Sequence, residues 1–157
     1  MLLLRNPQTI ALELFGVEEP PHWQAQHRWP AREISGDCVF LNAQQARNET
    51  LGRDAPLAGL GRHWWAFACS GTGDAWLIAM DDSVNNAQQI AFLDHDLGPD
   101  AVAQPMGLSF GQWLQMADLM RQWEACDDDV QAAQLAEVTS LLDQISPGLS
   151  QRFPYAL

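Results

Sequence analysis

Two apolar runs separated by five small polar residues constrain the fold of this chain most. Residues 64–69 and 75–80 are aromatic and aliphatic, and between them lies Ser-Gly-Thr-Gly-Asp at 70–74. Two short apolar runs on either side of a glycine-bearing turn are typical of a β-hairpin. We therefore predict that Gly71, Gly73 and Asp74 are structural turn residues, with glycine at positive φ and Asp74 accepting bonds from backbone N–H groups.

The same turn does not fit a phosphate-binding loop. A P-loop needs a Lys-Ser or Lys-Thr pair and a helix directly after it. This chain contains no lysine, and a strand-like apolar run follows the turn. A dinucleotide-binding fingerprint needs a third glycine that opens a helix. The turn therefore predicts a scaffold rather than a nucleotide site.

The elements around the hairpin predict an α+β fold. A third apolar run at 89–93 follows a turn-rich segment at 81–86, and short links between three strands favour an antiparallel meander. Helices are predicted from Asn6-Pro7 to Gly16, from Ser109 onward with Gln112 completing a capping box, and over 127–145. We predict one domain over 1–157, with a central antiparallel sheet flanked by N- and C-terminal helices.

The charge of the chain points to particular classes of partner. The formal net charge is −12, and all eight basic residues are arginine. Such a surface repels nucleic acid and anionic membranes and attracts a basic protein. Cys38, Cys69 and Cys126 are an odd set without metal-ligand spacing, which is typical of buried thiols in a reducing compartment. The first residues lack the basic segment and long apolar run of a signal peptide, so we expect a cytoplasmic protein.

Asp94, His95 and Asp96 are the strongest candidate for chemistry. Two carboxylates beside an imidazole have the ligand types of a metal site, and a metal-dependent hydrolase using these three residues is the alternative hypothesis. Consecutive strand residues point to opposite faces, however, so the three do not converge on one ion. We instead expect a strand end in which Asp94 or Asp96 caps backbone donors. We predict no catalytic residue, no bound metal and no cofactor.

Several stretches resemble the SUKH superfamily, in the order that this family has them. The segment 65–78 around Gly73-Asp74 is similar to its strand, "G-D" turn and second strand. Residues 90–96, ending in Asp-His-Asp, resemble its next strand, and 106–114 with Ser109-Phe110 resemble its "S-F-x-x-(F/W)-L" helix. The likeness covers most of residues 7–120, which we take as the core, and leaves a helical extension at 127–145 outside it. It implies an α+β fold in which the Gly-Asp turn is structural.

The resemblance also implies a function. Bacterial members of the family are commonly cytoplasmic immunity proteins that bind toxins, often nucleases, and other members act by binding proteins. We therefore expect a non-enzymatic module that neutralises a basic toxin, the second alternative being a regulatory scaffold without a toxin. Candidate contact residues are the carboxylates of the turns at the sheet edges: Asp81, Asp82, Asp94, Asp96 and Asp100.

Overall fold

A six-stranded antiparallel sheet forms the centre of the molecule. The computed structural model describes residues 1–16, 30–51, 64–80 and 89–157, without the side chains of Pro99 and Asp100. The strands are β1 (Arg32–Ser35), β2 (Cys38–Phe40), β3 (Trp64–Cys69), β4 (Ala75–Ala79), β5 (Ile90–Leu93) and β6 (Gln104–Pro105). Each strand pairs with the next one along the chain in the order β1-β2-β3-β4-β5-β6. The predicted three-stranded antiparallel meander is confirmed as β3-β4-β5, and the sheet continues with β2 and β1 at one edge and β6 at the other.

Helices lie before, within and after the strands. They are α1 (Pro7–Phe15), α2 (Ala43–Leu51), a 3-10 segment (His95–Asp100), α3 (Phe110–Glu124), α4 (Asp128–Ile145) and α5 (Leu149–Arg152). Asn6 caps α1 by accepting from the Gln8 N–H, and Gly16 ends it at φ +74°. Ser109 and Gln112 form the predicted capping box of α3. The α+β architecture with terminal helices is therefore confirmed.

Aromatic side chains join the sheet to α3. Phe67 and Trp76 lie on β3 and β4, and Trp113 of α3 packs against both at centroid distances of 4.7 and 6.1 Å. These three side chains are buried, as are most apolar residues of α3. Burying large rings in edge-on contact contributes both area and quadrupole attraction. This layer fixes the position of α3 on the sheet.

Two buried tryptophans differ in the partner of their indole N–H. Trp76 Nε1 donates to the carbonyl of Asp37 at 2.8 Å, whereas Trp113 Nε1 has no acceptor among the residues that the structure describes. Both side chains are fully buried, so replacement by phenylalanine removes a similar volume at each site. We expect Trp76→Phe to lower the free energy of unfolding by about 1 kcal/mol more than Trp113→Phe, because only the former removes a hydrogen bond, the one to the half-buried carbonyl of Asp37. Urea unfolding of the two variants measures the difference, and an equal loss would contradict it.

The C-terminal extension is packed onto the core. α4 runs beside α3, and Gln112 Nε2 donates to the carbonyl of Ile145 at the far end of α4. The apolar residues of α4 become buried only in its second half: Val138, Leu142 and Ile145 are buried, while Val130 and Leu135 are exposed. The first half of α4 therefore contributes little to the core.

Two global expectations concern cysteines and membranes. The three cysteines are free, with Cys38 buried and Cys69 and Cys126 half-buried. Burial raises the pKa of the Cys38 thiol to about 12, which makes it an inert core residue. Across the described segments, none of the helices combines the length and apolar character needed to cross a bilayer.

Candidate functional site

The antiparallel register brings three turns to one end of the sheet. Ala75 at the start of β4 lies opposite Leu93 at the end of β5, so Asp74 and Asp94 are neighbours. The β1–β2 turn reaches the same end, where the Gly71 N–H donates to the carbonyl of Gly36 at 2.9 Å. Residues far apart in sequence therefore share this end of the molecule.

The turn at 70–74 is a hairpin turn, as predicted. Its two glycine positions favour glycine for different physical reasons. Gly73 has φ +97°, a conformation that favours glycine. Gly71 is required by proximity, because a Cβ atom there would lie 3.0 Å from the carbonyl oxygen of Gly36. Ser70 Oγ accepts from the backbone N–H groups of Thr72 and Asp74, and the Gly73 N–H donates to the carbonyl of Ser70. Asp74 was predicted to accept from backbone N–H groups; it accepts from that of His95, outside the turn, and within the turn it accepts from the Ser70 and Thr72 hydroxyls.

Asp74 accepts five hydrogen bonds. Its Oδ1 accepts from the backbone N–H and the ring Nδ1 of His95 at 3.0 and 2.7 Å. Its Oδ2 accepts from the hydroxyls of Ser70, Thr72 and Tyr155 at 3.1, 3.1 and 2.8 Å. We call Ser70, Thr72, Asp74, His95 and Tyr155 the Asp74 network. It joins the β3–β4 turn, the 3-10 segment and the C-terminal tail around one carboxylate that is only 6% exposed.

The network shifts the ionisation of its members in opposite directions. Burial raises the pKa of the Asp74 carboxyl, but the hydrogen bonds from His95, Tyr155 and Thr72 outweigh it and hold that pKa well below its ordinary value. The hydrogen bond to Asp74 raises the pKa of His95, with further contributions from Asp96, Asp74 and Asp94. Burial raises the pKa of the Tyr155 hydroxyl, which stays protonated and donates to Asp74.

These shifts predict how the stability of the network depends on pH. The contribution of Asp74 is complete above its ordinary pKa of 3.8 and is lost as the pH falls through the lower folded value. The contribution of His95 is complete below its ordinary pKa of 6.5 and is lost as the pH rises through the higher folded value. The difference in unfolding free energy between wild type and Asp74→Asn should therefore be largest between the two ordinary pKa values, from pH 3.8 to pH 6.5. Urea unfolding at a series of pH values measures it, and a difference that kept growing with alkaline pH would contradict the assignment.

Asp94 and Asp96 occupy the predicted strand end. Asp94 caps the 3-10 segment by accepting from the Asp96 N–H at 2.9 Å, as expected. The carboxylate of Asp96 instead turns to His95, with Oδ1 3.0 Å from Nε2. Asp100 is the last residue of the 3-10 segment, and Asp81 and Asp82 lie outside the described residues.

Two further carboxylates lie at this end that sequence reasoning did not select. Asp37 is in the β1–β2 turn, and Glu124 at the end of α3 accepts from the Gly36 N–H at 3.1 Å. Burial raises the pKa of Asp37, and the charge of Asp74 adds to this shift. Partial burial also raises the pKa of Glu124, with Asp37 and Glu33 adding to it. We call Asp37, Asp94, Asp96 and Glu124 the acidic end.

The arrangement favours a hydrogen-bonded network over a metal centre. Asp74, Asp94 and His95 each place one potential ligand atom within 4.8 Å of the others, which differs from the predicted set of Asp94, His95 and Asp96. A carboxylate has about four lone-pair positions, and Asp74 already accepts five hydrogen bonds. An ion could bind Asp74 only by displacing these donors. Metal analysis of the purified protein tests this, because a stoichiometric ion would contradict it.

Comparison with known proteins adds no relative, since no protein-family model, curated protein or solved structure matches the chain.

Proposed function

We propose that this chain is a non-enzymatic binding module whose acidic end docks against a basic protein. The observation that supports it is the set of four carboxylates that three separate segments, the β1–β2 turn, the start of the 3-10 segment and the end of α3, bring to one end of the sheet. Those of Asp37 and Glu124 have raised pKa values because they are partly buried beside other carboxylates. Such crowding is unfavourable in the free protein and is relieved when a cationic partner is added. A partner that supplied arginine or lysine side chains would therefore be bound selectively.

The distribution of arginines is consistent with this proposal. The buried carboxylate of Asp118 is neutralised by Arg5 at 2.9 Å and by Arg121 at 2.8 Å. Arg152 donates to the backbone carbonyls of Met106 and Pro147. In the part of the chain that the structure describes, no arginine pairs with a carboxylate of the acidic end. Within the described segments, arginine side chains thus neutralise the buried Asp118 rather than the acidic end.

The titratable groups of the site already have partners within the protein, which favours binding rather than catalysis. A general base must present an unoccupied lone pair to its substrate. Both ring nitrogens of His95 already face carboxylate oxygens, and Asp74 accepts its five bonds within the network. The two groups that sequence and structure bring closest to chemistry are therefore engaged with each other.

The resemblance of residues 65–78, 90–96 and 106–114 to the SUKH superfamily names the kind of partner. We propose an immunity protein of the cytoplasm whose target is a basic toxin, such as a nuclease. The active cleft of a nuclease binds a polyanion and is cationic, so an acidic protein can occupy it and associate rapidly.

Co-expression with the product of the adjacent upstream gene tests the proposal. We expect the chain to co-purify with that product and to protect cells from it. A neighbouring protein that neither binds the chain nor loses toxicity in its presence would contradict the immunity role. Binding of a basic protein without any protection would instead support the toxin-independent scaffold.

A further inference from the structure

The imidazole of His95 lies between two carboxylates. Nδ1 is 2.7 Å from Asp74 Oδ1, and Nε2 is 3.0 Å from Asp96 Oδ1. A neutral imidazole has one N–H, so its second nitrogen would direct a lone pair at a carboxylate oxygen. Two favourable contacts of this length require a proton on both nitrogens. The two contacts therefore fit an imidazolium, which exists only while both ring nitrogens carry a proton.

We infer that His95 is a pH-operated clamp, which holds Asp96 against the end of the sheet while its ring is protonated and releases Asp96 when one proton is lost. The proton that leaves is the one on Nε2. Asp74 is buried, accepts at the shorter distance and also accepts from the His95 backbone N–H, so Nδ1–H is retained. The side chain of Asp96 is 82% exposed and is free to move into solvent.

The groups facing His95 from each neighbouring segment define the conditions for release. Asp74 faces it from the hairpin turn, and Asp94 and Asp96 face it from its own segment. Behind Asp74 lie the Tyr155 hydroxyl of the C-terminal tail and the Asp37 carboxylate of the β1–β2 turn. The charged neighbours of His95 in the described segments are thus all anions. They favour the imidazolium, and release consequently falls above the ordinary pKa of 6.5.

The consequence for binding rests on the proposed function. When His95 loses its proton, the acidic end becomes more negative by one charge, and the carboxylate of Asp96 becomes available to a partner. A cationic partner should therefore bind more tightly on the alkaline side of the transition. Because one additional exposed charge contact is worth little, the affinity should rise only about two- to five-fold.

Nuclear magnetic resonance of the ring nitrogens tests the clamp directly. In the wild-type protein, His95 should titrate above its ordinary value and then carry its remaining proton on Nδ1. Asp96→Asn should lower the pKa of His95, because it removes one carboxylate without touching the buried network. The His95→Gln variant assigns the signals. Titration at the ordinary value in both proteins, or an Nε2–H tautomer at alkaline pH, would overturn the inference.

A binding assay separates this inference from the proposed function. Fluorescein-labelled nona-arginine serves as the cationic probe, and its affinity is measured from about pH 5 to about pH 10. We expect the wild-type affinity to increase across the His95 transition and that of His95→Gln to stay constant. Wild-type affinity that did not change across the transition would contradict the clamp's effect on binding even if nona-arginine bound. If His95 titrated above its ordinary pKa but nona-arginine did not bind, the result would support the clamp and contradict the role of the acidic end.

Discussion

Replacing Asp74 by asparagine is expected to lower the free energy of unfolding by about 3 kcal/mol at mildly acidic pH. The side chain is buried, and its carboxylate accepts five hydrogen bonds from the other members of the Asp74 network. Asparagine has nearly the same shape, but it places an NH2 group where donors now converge and removes the charge that pairs with His95. Urea unfolding monitored by circular dichroism measures the loss. The figure lies at the lower limit for broken buried pairs because His95 is 42% exposed and can be rehydrated.

Two control variants identify the cause of that loss. Asp96→Asn makes the same chemical change at the same end of the sheet, but on a side chain that is 82% exposed, and should cost much less. Tyr155→Phe removes only one of the five donors and should cost about 1 kcal/mol. If Asp74→Asn and Asp96→Asn were equally mild, the Asp74 network would not be holding this end of the fold together.

Reversing two charges of the acidic end should weaken the binding of the basic partner by about 100-fold, since close charge pairs at an interface contribute more than about 1 kcal/mol each. The variant is Asp96→Lys with Glu124→Lys, which places cations at two positions of the acidic end that come from different segments. Isothermal titration calorimetry against the co-purified partner measures the effect. The difference in affinity between wild type and variant should be smaller at high salt, because salt already screens the attraction between the wild-type protein and its partner.

A matched control keeps the change in net charge equal. The control variant carries Glu137→Lys, Ser140→Lys and Gln144→Lys, which together also raise the net charge by four. These positions lie on the part of α4 that approaches Gln112 rather than Glu124. We expect this variant to retain most of the affinity. An equal loss in both variants would show that the partner responds to overall charge and not to the acidic end.

The parts of the fold that could be predicted are those in which one short segment carries the whole signal. The hairpin turn, the Asn6 cap and the Ser109–Gln112 capping box are local, and each was confirmed. Helix α2 had a signal of the same kind that was missed. Asn42 and Gln45 exchange hydrogen bonds of 2.9 and 3.0 Å in a capping box at its start.

The remaining elements depend on neighbours that are distant in sequence. β1 reads Arg-Glu-Ile-Ser, with one aliphatic residue, and β6 is two residues long and ends in proline, so neither has strand periodicity of its own. Their pairing with β2 and β5 determines their conformation.

The candidate site divides in the same way. The meander register implies that Asp74 lies beside the Asp94-His95 segment, so their contact could have been derived from the predicted strands. Tyr155 reaches Asp74 from 81 residues away, and Glu124 reaches Gly36 from 88 residues away. No local pattern specifies either contact, because both follow from how α3 and the C-terminal tail pack.

Hydrogen–deuterium exchange of the chain alone and bound to its basic partner locates the binding surface. If the acidic end is that surface, binding slows exchange at the amides of the acidic end and its turns, at 36–37, 71–73 and 94–97. No change is then expected along 137–144 on the opposite part of α4. Slowed exchange confined to α4, with the amides at 36–37 and 94–97 unaffected, would contradict the claim that this end of the sheet is the binding surface.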